Sequence, residues 1–397
     1  MLFSFLRTNP DTRYGVVIDI GSGSVGVAVV ASDPLVELPT ILWSHRERIT
    51  SGSFFDQKNS IKLINTALLN VFLELGSKGL AALRDHDPQA KLTTMFCSIS
   101  APWAYTINST VAVSEENPFV VSKELLTELL SKAKEKAKTE LAETDITELF
   151  ELETIVEEIS NVTANGYVIS DPIDKEVRKL SLSQIKGVAN KQLIESLKEN
   201  QEKVVPTATL SMSTFMYSFY KGMDALKPDT SEICLIDITN EATEIGIVRG
   251  GVLMHTSHIA FGANSIAREI SELTKVSNNE AWGYMRSNGT DLTKTLSAAK
   301  AEELQSILAS YASKVEALMK QTGDTLAIPK TIFLHTDALT ENFFATILKE
   351  AATKATSSQH TVHFVTSKFF STDSPNDTAI LLSAYVFHKN LISARLE

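Results

Sequence analysis

The sequence predicts an α/β protein built of two similar lobes that face one another, with a small α+β module inserted into it. Three observations carry that prediction. A strand–turn–strand pattern, VVIDIGSGSVGVAVV, fills residues 16–30 and returns as CLIDITNEATEIGIV at 234–248, 218 residues later counted from Asp19 to Asp237. Near residue 104 the texture changes to a long amphipathic helix followed by short strands, after which helix and strand alternate again. The length of 397 residues, with 43% hydrophobic and 21% charged, suits several folded units and excludes wholesale disorder.

In chain order, MLFSFLR reads as a leader strand or a frayed end in preference to a segment that touches a membrane or a partner. Residues 14–30 form two β-branched strands around a glycine turn. A helix near 60–80 and the strand LTTMFCSIS at 92–100 complete a first unit. SKELLTELLSKAKEKAKTELAET, residues 122–144, has no glycine or proline and mixes charges on one face, so it reads as a helix capped by Ser122. IVEEISNV, GYVIS and KLSLSQI are short strand candidates that pack on it. Residues 231–261 repeat the opening strands, helices dominate 264–325, and 330–353 reads strand, loop, helix. HFVTSKFF precedes a closing helix, DTAILLSAYVFHKNLISARL, whose mix of apolar and basic residues suits either a membrane interface or, the favoured reading, packed core. The expected division is 1–103 with 187–228 and 382–397 as the first lobe and 104–186 as the inserted module. Residues 229–381 form the second lobe, with 256–327 as its outer helical part.

A net charge of −11 and a pI near 5.3 argue against a nucleic-acid surface. Cys97 and Cys234 lie in apolar runs, as buried thiols do, and two cysteines support neither a disulfide framework nor a cysteine zinc site. This fits a reducing compartment. No run approaches the ~18 apolar residues of a spanning helix, and a cytoplasmic protein is expected. His255, His258 and His335, near the predicted cleft strands, read as scattered packed or surface residues rather than a metal site.

GSGSVG at 21–26 spells the dinucleotide fingerprint, but that fingerprint opens a helix, and Val27–Val30 form a strand instead. A hairpin of this kind wraps phosphate oxygens with backbone N–H groups and the hydroxyls of Ser22 and Ser24. Asp19 at the strand end can hold a hydrated magnesium ion. Asp237 holds the equivalent place in the second copy, so two carboxylates face one another across a cleft.

These residues give the chain its resemblance to the actin-like ATPase superfamily, in its FtsA and PilM branch, over nearly the whole length. VVIDIGSGSVGVAVV resembles the first phosphate loop. CLIDITNEATEIGIVRGGVLMHTSHIAFGANSIAREI resembles the second, with the strand turn Gly250-Gly251, the pair His255-Thr256 and a helix start at Gly262. NGYVISDPIDKEVRKLSLS, with Asp171-Pro172, resembles the inserted subdomain of FtsA and PilM, and DTAILLSAYVF resembles the helix that closes on the first lobe. The resemblance implies two ribonuclease-H-like lobes with ATP and Mg2+ between them. Gly21, Ser22, Gly23, Ser24, Thr239 and Asn240 would lie at the phosphates, Gly262, Arg286 and Thr336 on the base and ribose side, and Asp19 and Asp237 at the metal. It further implies a self-associating cytoplasmic scaffold, peripheral at the inner face of the cell membrane. That scaffold either links a division assembly to the membrane, as FtsA does, or binds the cytoplasmic tail of a pilus-machine membrane protein, as PilM does. A sugar or acetate kinase on the same superfold is the alternative of another class.

The departures from the family pattern all concern nucleotide. Thr239-Asn240-Glu241 stands where the family has glycines, and side chains there narrow the approach while Glu241 adds negative charge. His335-Thr336-Asp337 replaces the paired glycines of the adenosine motif. Trp282 and Met285 fill the places of the helix's Glu and Lys, with Arg286 about 100° round the helix. No carboxylate lies between Lys203 and Met223, where related ATPases orient water. The expectation is very slow or absent turnover, with any bound nucleotide acting structurally.

Overall fold

The computed structural model describes residues 9–49, 57–142, 151–227, 231–287, 296–321, 328–337, 340–370 and 377–394. MLFSFLR lies outside the described residues, as do Arg395 and Leu396.

Two five-stranded mixed sheets share one topology. In the first, β1 (Arg13–Ile20), β2 (Ser24–Ser32), β3 (Thr40–Arg48), β4 (Leu92–Ile99) and β9 (Thr209–Thr214) run in the order β3-β2-β1-β4-β9. In the second, β10 (Ile233–Ile238), β11 (Thr243–Arg249), β12 (Val252–Ile259), β13 (Thr331–Thr336) and β14 (Thr361–Phe364) run β12-β11-β10-β13-β14. In both, the first three strands are an antiparallel meander and the last two join in parallel. The register is duplicated as well. Asp19 pairs with Gly26 on one side and Ser98 on the other, while Asp237 pairs with Glu244 and His335. Each aspartate is the penultimate residue of its strand, so both reach the same end of their sheets.

Helices cover these sheets. On the first lie α1 (Gln57–Glu74), continued by a π-helical turn into α2 (Leu80–His86), and α4 (Lys191–Val204). By length and mean hydropathy (1.2), Ser60–His86 matches a membrane-crossing helix, which the sequence reading did not foresee. Here its Ile64, Leu68, Val71, Phe72 and Leu75 are buried against Ile18, Val27 and Leu197 in the first lobe's core. The second sheet carries α6 (Ala263–Thr274), α7 (Asn278–Arg286), α8 (Ala298–Lys320) and α9 (Glu341–Thr356). Between the lobes, α5 (Phe215–Leu226) places Phe215, Met216 and Phe219 against Leu235, Val248 and Phe333. The closing helix α10 (Thr378–Ser393) returns to the first sheet, where Ile380, Ala384 and Phe387 pack on Val17, Val30 and Phe96. As expected for packed core, its length from Ala379 to His388 is buried.

The inserted unit is a four-stranded sheet in the order β5-β8-β6-β7, from β5 (Ala104–Val120), β6 (Leu152–Ala164), β7 (Tyr167–Val168) and β8 (Glu176–Asn190), backed by α3 (Lys123–Ala142). Ser122 Oγ accepts from Leu125 N at 3.2 Å and starts α3, the predicted cap. The strands are longer than their sequence suggests and β5 is an addition, because its second half is solvent-exposed and lacks the apolar run that marks a strand. β5 also meets the second lobe: Thr256 Oγ1 donates to Thr106 O and Asn108 Nδ2 to Leu253 O.

Candidate functional site

The two hairpins meet across a crevice and touch. In the first, the Gly21 N–H closes the turn on Ser24 O at 3.0 Å, and Ile49 N ties the end of β3 to Gly23 O at 2.9 Å. In the second, the Thr239 N–H bonds Ala242 O at 2.9 Å, and Ala242 N returns a bond to Thr239 Oγ1 at 3.1 Å, a turn closed by a threonine side chain. Across the gap, the Glu241 N–H donates to Ser22 Oγ at 3.0 Å. The Asn240 side-chain amide lies directly over Gly23, in the space a Cβ there would take, so a side chain at 23 would have to push that amide aside. The Glu241 carboxylate turns away, to Asn264 Nδ2 at 2.7 Å and Arg268 at 3.3 Å.

A guanidinium occupies the crevice on the first-lobe side. Arg46 of β3 binds Asp19 Oδ2 through Nη2 at 2.7 Å, Asp377 Oδ2 through Nε at 2.7 Å and Ser24 Oγ through Nη1 at 2.8 Å. Nη2 also reaches Asp377 Oδ1 at 2.8 Å, making the Arg46–Asp377 pair a bidentate fork. Asp377 Oδ1 in turn accepts from Ile380 N at 3.2 Å and caps α10. Burial raises the Asp19 pKa and Arg46 only partly opposes it. Burial also works to raise Asp377, but the charge and hydrogen bonds of Arg46 and the Ile380 amide hold it below the usual carboxylate value. Arg46 is pulled down by burial and lifted further by Asp377 and Asp19, so it stays charged. Asp19, expected at a magnesium ion, thus already has a resident cation.

On the second-lobe side, His335 Nδ1 lies 2.7 Å from Asp237 Oδ1, and both residues are fully buried. Burial opposes protonation of this imidazole, but the Asp237 hydrogen bond and charge, with Asp337 and Asp19 behind it, raise its pKa to about 9. Asp337 follows two residues on, and its carboxyl is raised by burial and by the neighbouring charge of Asp237. Its Oδ2 lies 2.7 Å from where a Cβ on Gly21 would stand, so it abuts the first hairpin. Glu244, beside Asp237 in the sheet and 2% exposed, is shifted well up by burial and then by Asp237. His335 is packed, as expected, and the structure adds that it shares one cluster with Asp237 and Asp337. His255 and His258 are half-buried in β12: burial lowers the pKa of both, His258 to about 4, and the His258 ring packs tilted against Tyr105 with centroids 4.2 Å apart.

The remaining candidates divide. Gly262 starts α6 directly behind the second hairpin, with Ala263 N on Thr239 O at 2.9 Å and Asn264 N on Asn240 O at 2.8 Å. Thr336 Oγ1 accepts from Thr340 N at 3.2 Å, fastening the chain beyond β13. Arg286 sits over the Trp282 ring at 5.6 Å, and Trp282 and Met285 belong to the second lobe's core. The hairpin residues are thus brought together, while Arg286 is engaged with its own helix. Arg46, Asp377 and Glu244 escaped the sequence reading, and Asp337 entered it only as part of His335-Thr336-Asp337, with no role of its own. The signal for Arg46 was the strand TILWSHRER, which pairs it with Gly26 and so places it beside Asp19.

No protein-family model and no curated protein matches the sequence. Solved structures do match in fold. The chain resembles the "PilM-PilN type IV pilus biogenesis complex" at 10% identity with a TM-score of 0.60, over 94% of this chain and 98% of that one. A weaker match is a Bacteroides thetaiotaomicron protein with actin-like ATPase fold and unknown function, at 10% identity, TM-score 0.44, over 94% and 96% of the two chains. Another is the ethanolamine utilization protein EutJ from Carboxydothermus hydrogenoformans, at 9% identity, TM-score 0.43, over 96% and 91%. The fold is the actin-like ATPase fold, as the sequence predicts.

Proposed function

We propose that this chain is a PilM/FtsA-type scaffold whose two lobes are fastened by its own side chains rather than by nucleotide turnover. The carrying observation is the direct contact of the hairpins: Ser22 is taken by the Glu241 N–H and the surface of Gly23 by Asn240. A triphosphate between Gly21, Ser22, Gly23, Ser24 and Thr239, Asn240 has no place until those contacts part. Mg2+ at Asp19 would have to displace a bidentate arginine. The residues therefore do not fit Mg–ATP in this arrangement, and no hydrolytic step is assigned to them. Arg46, bridging the first hairpin to the cap of α10, supplies at Asp19 the positive charge a metal ion would otherwise bring.

Of the two scaffold settings the sequence suggests, the fold's likeness to the PilM–PilN complex supports the pilus type over the division type. On this reading the chain lies at the cytoplasmic face of the membrane and is held there by the tail of a membrane partner. A thermal-shift series with ATP and ADP, with and without Mg2+, tests the nucleotide half: no shift is expected, and a Mg2+-dependent rise of several degrees would refute it. Affinity capture from the membrane fraction, with the captured protein's cytoplasmic peptide then titrated against the chain, tests the partner half. Saturable peptide binding supports that half, and a capture whose peptides do not bind refutes it.

A further inference from the structure

We propose that Asp237, His335 and Asp337 form a site for one directly coordinated first-row divalent ion, Zn2+ in preference to Mn2+ and Mg2+, that needs no nucleotide. One ligand atom from each of these residues lies within 4.8 Å of the others. Donors bound to a common ion at about 2.0–2.2 Å stand some 3–4 Å apart, so the set closes on a metal with small side-chain shifts. The strands pre-arrange it: β10 and β13 are parallel neighbours that pair Asp237 with His335, and Asp337 follows where β13 ends.

A second observation points to a ligand. Asp237 is fully buried, yet its Oδ2 has no hydrogen-bond partner, and the Oδ2 of Asp337 is buried without one too. Buried carboxylate oxygens left bare are costly and rare. The surroundings make it worse: carboxyls of Asp19, Asp237, Asp337, Asp377 and Glu244 share this region with the cations Arg46 and His335, and Arg46 is committed to Asp19 and Asp377. A divalent ion at the three-residue cluster satisfies both bare oxygens; His335 ligates it as the neutral imidazole and releases its proton to solvent, so the cluster still gains one net positive charge.

The donor chemistry selects the ion. One imidazole with two carboxylates suits zinc, manganese or ferrous iron, whereas Mg2+ takes oxygen ligands and retains water. Three protein donors leave coordination positions for water beside Asp337, the most accessible of the set. The ion would tie β10 to β13 at the edge that touches Gly21. This inference stands whether or not a membrane partner binds.

The test is titration of the full, chelator-treated chain with Zn2+ alone, in the absence of nucleotide. One saturable Zn2+ per chain is expected, with Mn2+ weaker and millimolar Mg2+ unable to compete. Asp337→Asn and His335→Gln should each weaken Zn2+ binding by tenfold or more, while His86→Gln, a change at an exposed histidine, should not. X-ray absorption of the Zn2+-loaded wild-type chain reads the same site without relying on the variants' folding: one imidazole with oxygen ligands is expected. Absent saturable binding, affinity unchanged in folded Asp337→Asn or His335→Gln, or a spectrum with several imidazoles or none would each overturn the assignment.

Discussion

Replacing Arg46 by Met keeps the length of the stem and removes the charge. Asp19 Oδ2 then loses its 2.7 Å partner while remaining 1% exposed, and Asp377 loses its bidentate fork. Deleting one partner of a buried pair costs about 3–5 kcal/mol, because the other charge stays in a poorly solvated place. For a cooperative unit of lobe size, 1 kcal/mol is about 2–4 °C, so differential scanning fluorimetry should show a drop of roughly 10 °C. The pH dependence identifies the cause. Asp19 already has a folded-state pKa above its unfolded one, and losing Arg46 raises it further. A carboxyl raised in the folded state destabilises above that raised pKa and is relieved as pH falls through it towards the unfolded value. The deficit of Arg46→Met should therefore shrink between neutral pH and about pH 4. Adding Asp19→Asn should restore about 2 kcal/mol or more, a coupling far beyond additivity. A single variant that loses less than 1 kcal/mol, or a double variant that is simply additive, would refute the bridging role.

Further predictions follow from neighbouring contacts. Asn240→Gly with Glu241→Gly frees the surface of Gly23 and removes a charge, so Mg–ATP should stabilise that variant and not the wild type; at 100 times Kd the gain is about 2.7 kcal/mol. Calorimetry with both proteins checks this. Gly262→Ala drives a methyl into the backbone of Thr239, Asn240 and Ala242, whereas the Cβ of Gly23→Ala meets only a side-chain amide that can turn aside. The former should cost about 1–3 kcal/mol and the latter less, measured by urea unfolding. Asp377 has a lowered folded-state pKa, so its contribution is complete above the unfolded value and lost as pH falls through the lower one. Asp377→Asn should accordingly be destabilising at neutral pH and nearly neutral at pH 2–3.

The duplicated hairpins were legible because strand patterning is local and each Asp marks its own register. The closing helix was legible for a similar reason: a run such as AILLSAYVF has few places to go but inward. β5 was not, since half of it is exposed and its pairing with β8 spans the whole module. The crevice was only half readable. Thr239, Asn240 and Glu241 announced the departure from a glycine loop, but what they touch depends on a partner loop more than 200 residues away. Arg46 and Asp377 are 331 residues apart and follow no spacing rule; only the sheet and α10 bring them together. His335 was read as packed, which it is, but its partner Asp237 comes from the neighbouring strand and no local pattern announces it.

Pulsed electron-spin distance measurement between the lobes reaches the central claim most directly. Labels at introduced cysteines replacing the exposed Ser77 and Lys354 leave the native Cys97 and Cys234 aside, since both are buried with pKa values raised by burial. A single narrow distance, the same with and without Mg–ATP, is the predicted result. A broad distribution that narrows only when Mg–ATP is added would contradict it.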